Sequence, residues 1–217
     1  MINILYEDSD IVVCEKESGL LSEYSENSPI SLPKLLASQL NVKELFTVHR
    51  LDKDVGGVIV YAKNAQSASK LSSQMTDGSF KKQYVAVASG RLEEESGTLC
   101  DLLFHDVKKN KTYTTKKKRA GVKEAILNYN ELLYDEENDL SVLNISLVTG
   151  RTHQIRVQLA SRKCPILGDR KYGSSLNLKP IRLYSYSLSF SHPKSNEIVS
   201  VSSTPSWLSE YTKDIVL

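Results

Sequence analysis

The chain has 217 residues, of which 40% are hydrophobic and 25% are charged, a composition typical of a globular protein with a core of its own. Its first residues show no basic stretch followed by an apolar segment, and no window approaches 18 uncharged apolar residues, so neither a secretion signal nor a membrane helix is expected. Three widely spaced cysteines argue against a disulfide framework and a structural zinc. We therefore expect a cytoplasmic protein that holds no metal.

The net charge of +2 hides a local concentration of positive charge. Residues 107–123 contain eight lysines and arginines and no acidic residue. The rest of the chain has 20 basic and 26 acidic residues and is therefore mildly acidic. A basic segment on an acidic body indicates a local anionic partner, most often phosphate backbone, although a solvated lysine-rich loop is an equal alternative on charge alone.

Most of the predicted elements are strands. Short β-branched or alternating apolar patterns predict them at residues 4–6, 11–15, 58–62, 84–88, 125–133, 141–147 and 183–190. Helical periodicity with start or stop signals predicts helices at residues 31–40, 65–75 and 152–161. Without repeats or a long linker, we expect a single α+β domain over residues 1–217, a mixed, mainly antiparallel sheet with packed helices.

The segment 47–63 places polar residues directly before a double glycine and a buried strand. His49, Arg50 and Asp52 precede Gly56 and Gly57, and adjacent glycines permit a tight backbone path beside a ligand. An aspartate displayed before such a turn can act as a nucleophile or a general base. The alternative is that Asp52 caps a turn and pairs with Arg50 at the surface.

A second polar cluster follows the predicted strand at 141–147. Arg151, His153, Gln154 and Arg156 surround the start of a predicted helix and offer several donors to a phosphate or a carboxylate. The alternative is that these are ordinary exposed helix residues. Ile155 has the spacing of a core residue.

Together these segments resemble the pseudouridine synthases of the RluA and RsuA group. Residues 49–52 match the H-R-L-D signature, 82–86 resemble the K-x-Y-x-A strand, and 150–156 match G-R-T-H-Q-hydrophobic-R. Residues 165–173 resemble P-I-x-G-D-x-x-Y-G, and 188–193 resemble the closing strand and turn. The motifs occur in the family's order over nearly the whole chain. No small S4 domain precedes them, so the RluA-like branch is expected.

The resemblance implies a pseudouridine synthase catalytic fold that isomerises uridines in structured ribosomal or transfer RNA, without a cofactor. It assigns Asp52 as the catalytic carboxylate, Tyr84 as the aromatic that stacks on the target base, and Arg151 as the buried ion-pair partner that keeps Asp52 charged. We expect RNA contacts from His49, Arg50, Ile155 and Arg156, and from Lys116, Lys117 and Lys118 in a hairpin or loop between Leu103 and the strand near Ala125. A monomer is expected.

Three departures from the family pattern bear on function. The usual K-P-x-G near the start reads Lys-Glu-Ser-Gly at residues 16–19. The turn after H-R-L-D, usually x-x-T-S-G, reads Lys-Asp-Val-Gly-Gly here, and the usual L-H-A before the closing strand reads Leu-Tyr-Ser at residues 183–185. The altered turn, with Val55 and Gly56 in place of the usual Thr and Ser, leaves open the alternative of a non-catalytic RNA-binding or ribosome-assembly module with the same fold. A metal-dependent hydrolase is discounted because the four histidines are scattered along the sequence.

Overall fold

The computed structural model describes residues 1–25, 28, 30–212 and 217. The strands are β1 (Ile4–Glu7), β2 (Ile11–Lys16), β3 (Phe46–Thr47), β4 (Gly56–Ala62), β5 (Lys81–Ser89), β6 (Ser96–Asp106), β7 (Lys111–Thr115), β8 (Val122–Asp135), β9 (Leu140–Leu147), β10 (Leu183–Ser191) and β11 (Ile198–Ser202). The α-helices are α1 (Leu32–Gln39), α2 (Ala65–Asp77) and α3 (Gln154–Ala160), and short 3-10 helices cover Arg170–Tyr172 and Ser206–Glu210.

The chain divides into two compact units. The first unit contains Met1–Lys82 and Tyr184–Pro205, and the second contains Gln83–Leu183 and Ser206–Leu217. The expectation of a single catalytic domain over residues 1–217 stays a prediction. No helix in the described part of the chain is long and apolar enough to span a bilayer.

The first unit is built on a mixed sheet in which β4 is central. β2 runs antiparallel to β4 on one side, and β10 runs parallel to β4 on the other. Side chains at alternate positions of β2, β4 and β10 point to the same face, where Val13, Val60 and Leu188 are fully buried against Leu71 of α2. These residues belong to a hydrophobic core of the first unit.

The second unit is an antiparallel sheet in the order β5, β9, β8, β6 and β7. The helix α3 packs on it through Val157, which contacts Leu103 and Ala125. The buried Gln158 side chain also fixes α3 to the sheet, because its amide nitrogen donates to the Leu99 carbonyl at 3.2 Å and to the Asp101 carboxylate at 2.7 Å. β7 lies at the edge of this sheet.

The predicted α+β fold with a mixed, mainly antiparallel sheet and packed helices is confirmed. The basic segment, predicted as a hairpin or loop, contains both: β6 and β7 form an antiparallel hairpin, and a loop then leads from β7 to β8, which pairs with the other side of β6. Four strands, β3, β6, β7 and β11, were not predicted: β3 has only two residues, and Ser, Thr and charged residues interrupt the apolar pattern of the other three. The helix α3 begins at Gln154, two residues later than predicted, because His153 has a φ of 55° in the left-handed region.

Candidate active site

Asp52 lies in the irregular segment between β3 and β4, and it is partly exposed. The main-chain nitrogen of Val55 donates to the Asp52 carbonyl at 3.0 Å, which closes a tight turn over residues 52–55. This turn carries Asp52 at the N-terminal end of β4, a strand whose seven residues are all buried.

The segment that follows β2 holds one side of this turn. Lys16 is 1% exposed, and its ammonium donates to the carbonyls of Leu20 at 2.8 Å, Glu17 at 3.0 Å and Lys53 at 3.2 Å. The main-chain nitrogen of Gly19 donates to the same Lys53 carbonyl at 2.7 Å. The residue directly after Asp52 is therefore fixed by a buried charge and by a main-chain hydrogen bond.

Ser22 holds the residue directly before Asp52. The main-chain nitrogen of Leu51 donates to the Ser22 hydroxyl at 3.0 Å, and that hydroxyl also contacts the Leu51 carbonyl. The Tyr61 hydroxyl of β4 in turn donates to the Ser22 carbonyl at 2.9 Å. Asp52 is thus held from both sides by the 16–22 segment, which is the pre-organisation that a catalytic carboxylate requires.

Lys16 also supplies charge near Asp52. Burial lowers the pKa of Lys16 to about 8, and the negative charges of Asp52 and Asp54 oppose this shift. At neutral pH the lysine is therefore mostly protonated and attracts the Asp52 carboxylate. The motif Lys-Glu-Ser-Gly at residues 16–19 marks this segment in the sequence. It does not reveal that the lysine bonds to the carbonyl of Lys53 in the Asp52 turn.

His49 and Arg50 have different environments. His49 is buried, its ring lies 5.6 Å from that of Phe80, and its Nε2 accepts from the main-chain nitrogen of Val60 at 3.3 Å. Burial, assisted by the charge of Lys82, lowers the pKa of His49 to about 3, so the ring is neutral at physiological pH. These contacts support a role in shaping the turn, and direct RNA contact by His49 stays a prediction.

Arg50 is exposed and forms an ion pair with Glu23, in which the single nitrogen Nη1 lies 2.9 and 3.0 Å from the two carboxylate oxygens. Glu23 is thus one partner of Arg50, and the alternative interpretation, in which Arg50 pairs with Asp52 at the surface, stays open. An exposed ion pair of this kind is weak, so the guanidinium remains available to a phosphate. RNA contact by Arg50 stays a prediction.

The double glycine is required by the neighbouring strand. A Cβ on Gly57, whose φ is 131°, would lie 2.3 Å from the Ser185 carbonyl oxygen of β10. A Cβ on Gly56 would lie 3.2 Å from the Tyr184 ring. The close approach that the sequence indicated is thus explained within the first unit by protein backbone and a tyrosine ring.

Tyr84 belongs to the second unit. It lies on β5 opposite Ile145 of β9 and is 5% exposed. The predicted strand around it is confirmed, since β5 covers Lys81–Ser89. Its assignment to base stacking stays a prediction.

Arg151 is exposed, and its Nε donates to the Glu124 carbonyl at 2.9 Å. The expectation that it is buried is wrong, because Arg151 precedes the first turn of α3 and lies beside β8 at the surface. The Gln154 side chain holds this turn instead, accepting from the Arg151 main-chain nitrogen at 3.0 Å and from the Thr149 hydroxyl at 2.8 Å. The catalytic assignment of Arg151 stays a prediction.

The buried arginine of the motif is Arg156. It is 2% exposed and forms a bidentate pair with Asp169, with Nε–Oδ2 at 2.6 Å and Nη2–Oδ1 at 2.9 Å. Ile155 is 4% exposed, as its core spacing indicated. The alternative that this motif consists of exposed helix residues is wrong for His153, Gln154 and Arg156, which are all buried. RNA contact by Ile155 and Arg156 stays a prediction.

Lys116, Lys117 and Lys118 are exposed and lie in the turn that joins β7 to β8. The neighbouring Arg119 places its guanidinium 4.6 Å from the centre of the Phe104 ring. The lysines therefore lie exposed in the loop between β7 and β8, as an RNA-backbone contact requires. This role also stays a prediction.

The fold brings one histidine to two aspartates that are distant in the sequence. Side-chain atoms of Asp8, Asp10 and His192 lie within 4.8 Å of one another, a spacing that a metal ion could use. The carboxylates already accept other hydrogen bonds: Asp8 from the main-chain nitrogens of Asp10 and Ile11, and Asp10 from Asn64 and Ser67. This cluster is explained as the turn that connects β1 to β2 and fastens it to α2.

Sequence comparison decides the family. The model of the RNA pseudouridylate synthase family matches residues 10–161, a range that contains the Asp52 turn, Tyr84 and the 150–156 motif. The chain belongs to this family. As a family member it is an isomerase that converts uridine in RNA to pseudouridine.

Individual relatives agree with the family match. An RNA pseudouridine synthase of Aquifex aeolicus strain VF5, described as uncharacterized, is 33% identical over 97% of this chain and 74% of its own length. The protein named ribosomal large subunit pseudouridine synthase D of Borreliella burgdorferi is 31% identical over 100% of this chain and 67% of its own length. The structure of human RNA pseudouridylate synthase domain containing 1 has a TM-score of 0.78 at 21% identity, covering 98% of this chain and 87% of its own, and supports the fold.

Proposed function

We propose that this pseudouridine synthase modifies uridines of ribosomal RNA in the cytoplasm, with Asp52 as the catalytic carboxylate. The observation that carries the assignment of Asp52 is the fixation of its turn by Lys16 and Ser22 on either side. A catalytic side chain must be held in its working geometry by supporting contacts, and this turn has them. The free thiols of Cys14, Cys100 and Cys164 support a reducing compartment.

The reaction is an isomerisation and is balanced without a co-reactant. The N1–C1′ bond of uridine breaks, the detached base turns, a C5–C1′ bond forms, and the C5 proton is lost while N1 gains one. A carboxylate near the ribose and the uracil ring acts as a nucleophile or a general base in these steps. We assign this carboxylate to Asp52, base stacking to Tyr84 and charge stabilisation to Arg151.

The test of Asp52 is its replacement by asparagine, which removes the charge and preserves the volume. We expect Asp52→Asn to form no pseudouridine while its circular dichroism and RNA affinity stay close to those of the wild type. Asp54→Asn is the matched control, since it removes the same charge two residues away. Full activity of Asp52→Asn on an RNA that the wild type modifies would refute the assignment.

The test of Arg151 follows from its exposure. Arg151→Ala should lose activity but change the free energy of unfolding by less than about 0.5 kcal/mol, because an exposed side chain contributes little to stability. Arg162→Ala, which removes a partly exposed arginine elsewhere in the second unit, serves as the control for activity. Wild-type turnover in Arg151→Ala would exclude a catalytic role.

The choice of ribosomal RNA is supported by the name of the Borreliella burgdorferi relative, a large-subunit synthase that matches the whole of this chain. Mapping pseudouridines in total RNA from cells with and without the gene tests this choice directly. We expect the missing positions to lie in large-subunit ribosomal RNA. Loss confined to transfer RNA would overturn the substrate class while retaining the enzyme, and no loss at all would favour the non-catalytic RNA-binding module.

Lys116, Lys117 and Lys118 are proposed to contact RNA backbone from the β7–β8 turn. Phosphate contacts release counterions. The logarithm of the binding constant therefore falls with the logarithm of the salt concentration, with a slope of about 0.9 per contact on a duplex. Replacing all three by alanine should reduce this slope by about 2 to 3 and raise KM more than it lowers the rate at saturating enzyme. An unchanged affinity and slope would identify the turn as an ordinary solvated loop.

A further inference from the structure

The second unit contains a groove to which no function has been assigned so far. It has a volume of about 450 Å³ and runs between the edge strand β7 and the segment formed by α3 and the 3-10 helix Arg170–Tyr172. Its size is in the range in which proteins bind small ligands. Local sequence patterns do not reveal this groove, because its two walls are more than 40 residues apart in the chain.

The groove is basic. Lys111, Arg170 and Lys171 line it, and no acidic side chain is among its lining residues in the part of the chain that the structure describes. The turn before β7 adds Lys108 and Lys109, and Lys171 ties this turn to the far wall because its Nζ donates to the Asn110 carbonyl at 3.1 Å. The nearest acid in register is Asp106, opposite Lys111 on β6, and its carboxylate accepts from the Lys109 main-chain nitrogen at 3.1 Å.

An aromatic side chain stands exposed at the edge of the groove. Tyr113 is 39% exposed, and the Lys111 ammonium lies 5.8 Å from its ring centre and 5.5 Å from that of Tyr172. Tyr172 is fixed, since its hydroxyl accepts from the Thr112 main-chain nitrogen at 2.8 Å. Tyr113 is the ring that a ligand can reach.

An accessible aromatic beside a row of cations is the chemistry that binds unpaired nucleotides. Single-stranded RNA is recognised by stacking of its bases on aromatic side chains, while basic side chains track its phosphates. A duplex offers no exposed base face to Tyr113. The carboxylates of an acidic protein partner could pair with the cations, but they would supply no base to stack on Tyr113.

We propose that this groove binds an unpaired strand of the substrate RNA, with a base on Tyr113 and phosphates at Lys111, Arg170 and Lys171. The proposal rests on the proposed function, because it adds a second contact to the same RNA. It assigns to the edge of the second sheet a role in selecting substrates whose target uridine is flanked by a single-stranded segment.

The test measures binding of a fluorescein-labelled eight-residue oligoadenylate by anisotropy at low salt. This RNA contains no uridine, so its binding does not depend on the isomerisation. We expect the triple variant Lys111→Gln, Arg170→Gln, Lys171→Gln to bind at least tenfold more weakly than wild type, and Tyr113→Ala to bind about tenfold more weakly. The control triple variant Lys34→Gln, Lys43→Gln, Lys194→Gln removes the same charge from exposed positions of the first unit.

Three results would overturn the proposal: wild-type affinity in the groove variants, an equal loss in the control variant, or competition by a blunt RNA duplex as effective as that by the single strand. The last result would assign the groove to duplex backbone. Pseudouridine formation by the wild type is measured separately on large-subunit ribosomal RNA. Absence of product there refutes the proposed function, whereas weak oligoadenylate binding by an active wild type refutes only the groove.

Discussion

Lys16 offers the sharpest test of how the Asp52 turn is held. Replacing it with methionine keeps an unbranched side chain of similar length and removes the ammonium that donates to the carbonyls of Glu17, Leu20 and Lys53. We expect Lys16→Met to fold, to lose stability and to lose most of its turnover, because residue 53 is no longer fixed from below.

The magnitude follows from two opposing contributions. Hydrogen bonds from a charged donor contribute about 1.5–3 kcal/mol each, so the three bonds together stabilise the fold by about 4.5–9 kcal/mol. Burial lowers the pKa of Lys16 from 10.5 to about 8, and at about 1.4 kcal/mol per pKa unit the folded state disfavours the ammonium by about 3 kcal/mol. The expected loss is therefore about 1.5–6 kcal/mol, or a fall in Tm of about 3–24 °C for a chain of this size.

Urea denaturation followed by circular dichroism measures the loss, with Lys34→Met as the matched control at an exposed position of α1. The control should stay within about 0.5 kcal/mol of wild type. Turnover at saturating RNA should fall in Lys16→Met and not in the control. If the free energy of unfolding of Lys16→Met is within about 0.5 kcal/mol of the wild-type value and its turnover is normal, the buried ammonium does not hold the turn and the reasoning is refuted.

The same lysine predicts a pH dependence with a definite sign. Its pKa in the folded state, about 8, is below the unfolded value of 10.5, so the unfolded state binds more protons between these limits. This lysine therefore adds stability as the pH rises from 8 to 10.5, and that contribution is lost as the pH falls through 8. The free energy of unfolding of wild type minus that of Lys16→Met should increase across this window, and a constant difference would contradict the assignment.

Three further predictions concern the support of the site. Gly57→Ala should destabilise the protein by more than about 3 kcal/mol in urea denaturation, whereas Gly78→Ala, at a φ of 79° but with no atom within 4 Å of the new Cβ, should cost only about 1 kcal/mol; similar losses would refute the close approach of β10. His49 has a folded pKa lowered to about 3 from 6.5, so its contribution to stability is present above pH 6.5 and is lost as the pH falls toward 3; His49→Gln should flatten the acid side of the stability profile, and an unchanged slope would contradict burial of a neutral ring. Asp169→Ala should cost about 3–5 kcal/mol because it removes the carboxylate that pairs with buried Arg156, and a loss below about 1 kcal/mol would show that the pair is not buried.

The sequence was sufficient for the fold class and for the family. Local patterns predicted the strands around β2, β4, β5 and β9 because buried β-branched runs and alternation reflect only the pleat of a strand and the side it faces. The five motifs occur in order, and the family match over residues 10–161 agrees with them. Such signals are local in the chain, so a single sequence contains them.

The sequence was not sufficient for burial and pairing. It placed Arg151 in a buried pair, but the structure leaves Arg151 exposed and buries Arg156 against Asp169, because the turn of α3 begins at Gln154. It read the double glycine as space for a ligand, whereas within the first unit β10 and the Tyr184 ring occupy that space.

What the sequence by itself determined is therefore the fold class and the family, and it predicts the reacting group, an aspartate in an H-R-L-D turn, and a basic segment suited to RNA. Only the tertiary structure decided what supports that aspartate. Lys16 and Lys53 are 37 residues apart in the chain, and the walls of the basic groove, at Lys111 and Lys171, are 60 apart. Contacts over such separations depend on how strands and helices pack, and hydrophobic packing leaves no periodic signal that links one distant polar residue to another.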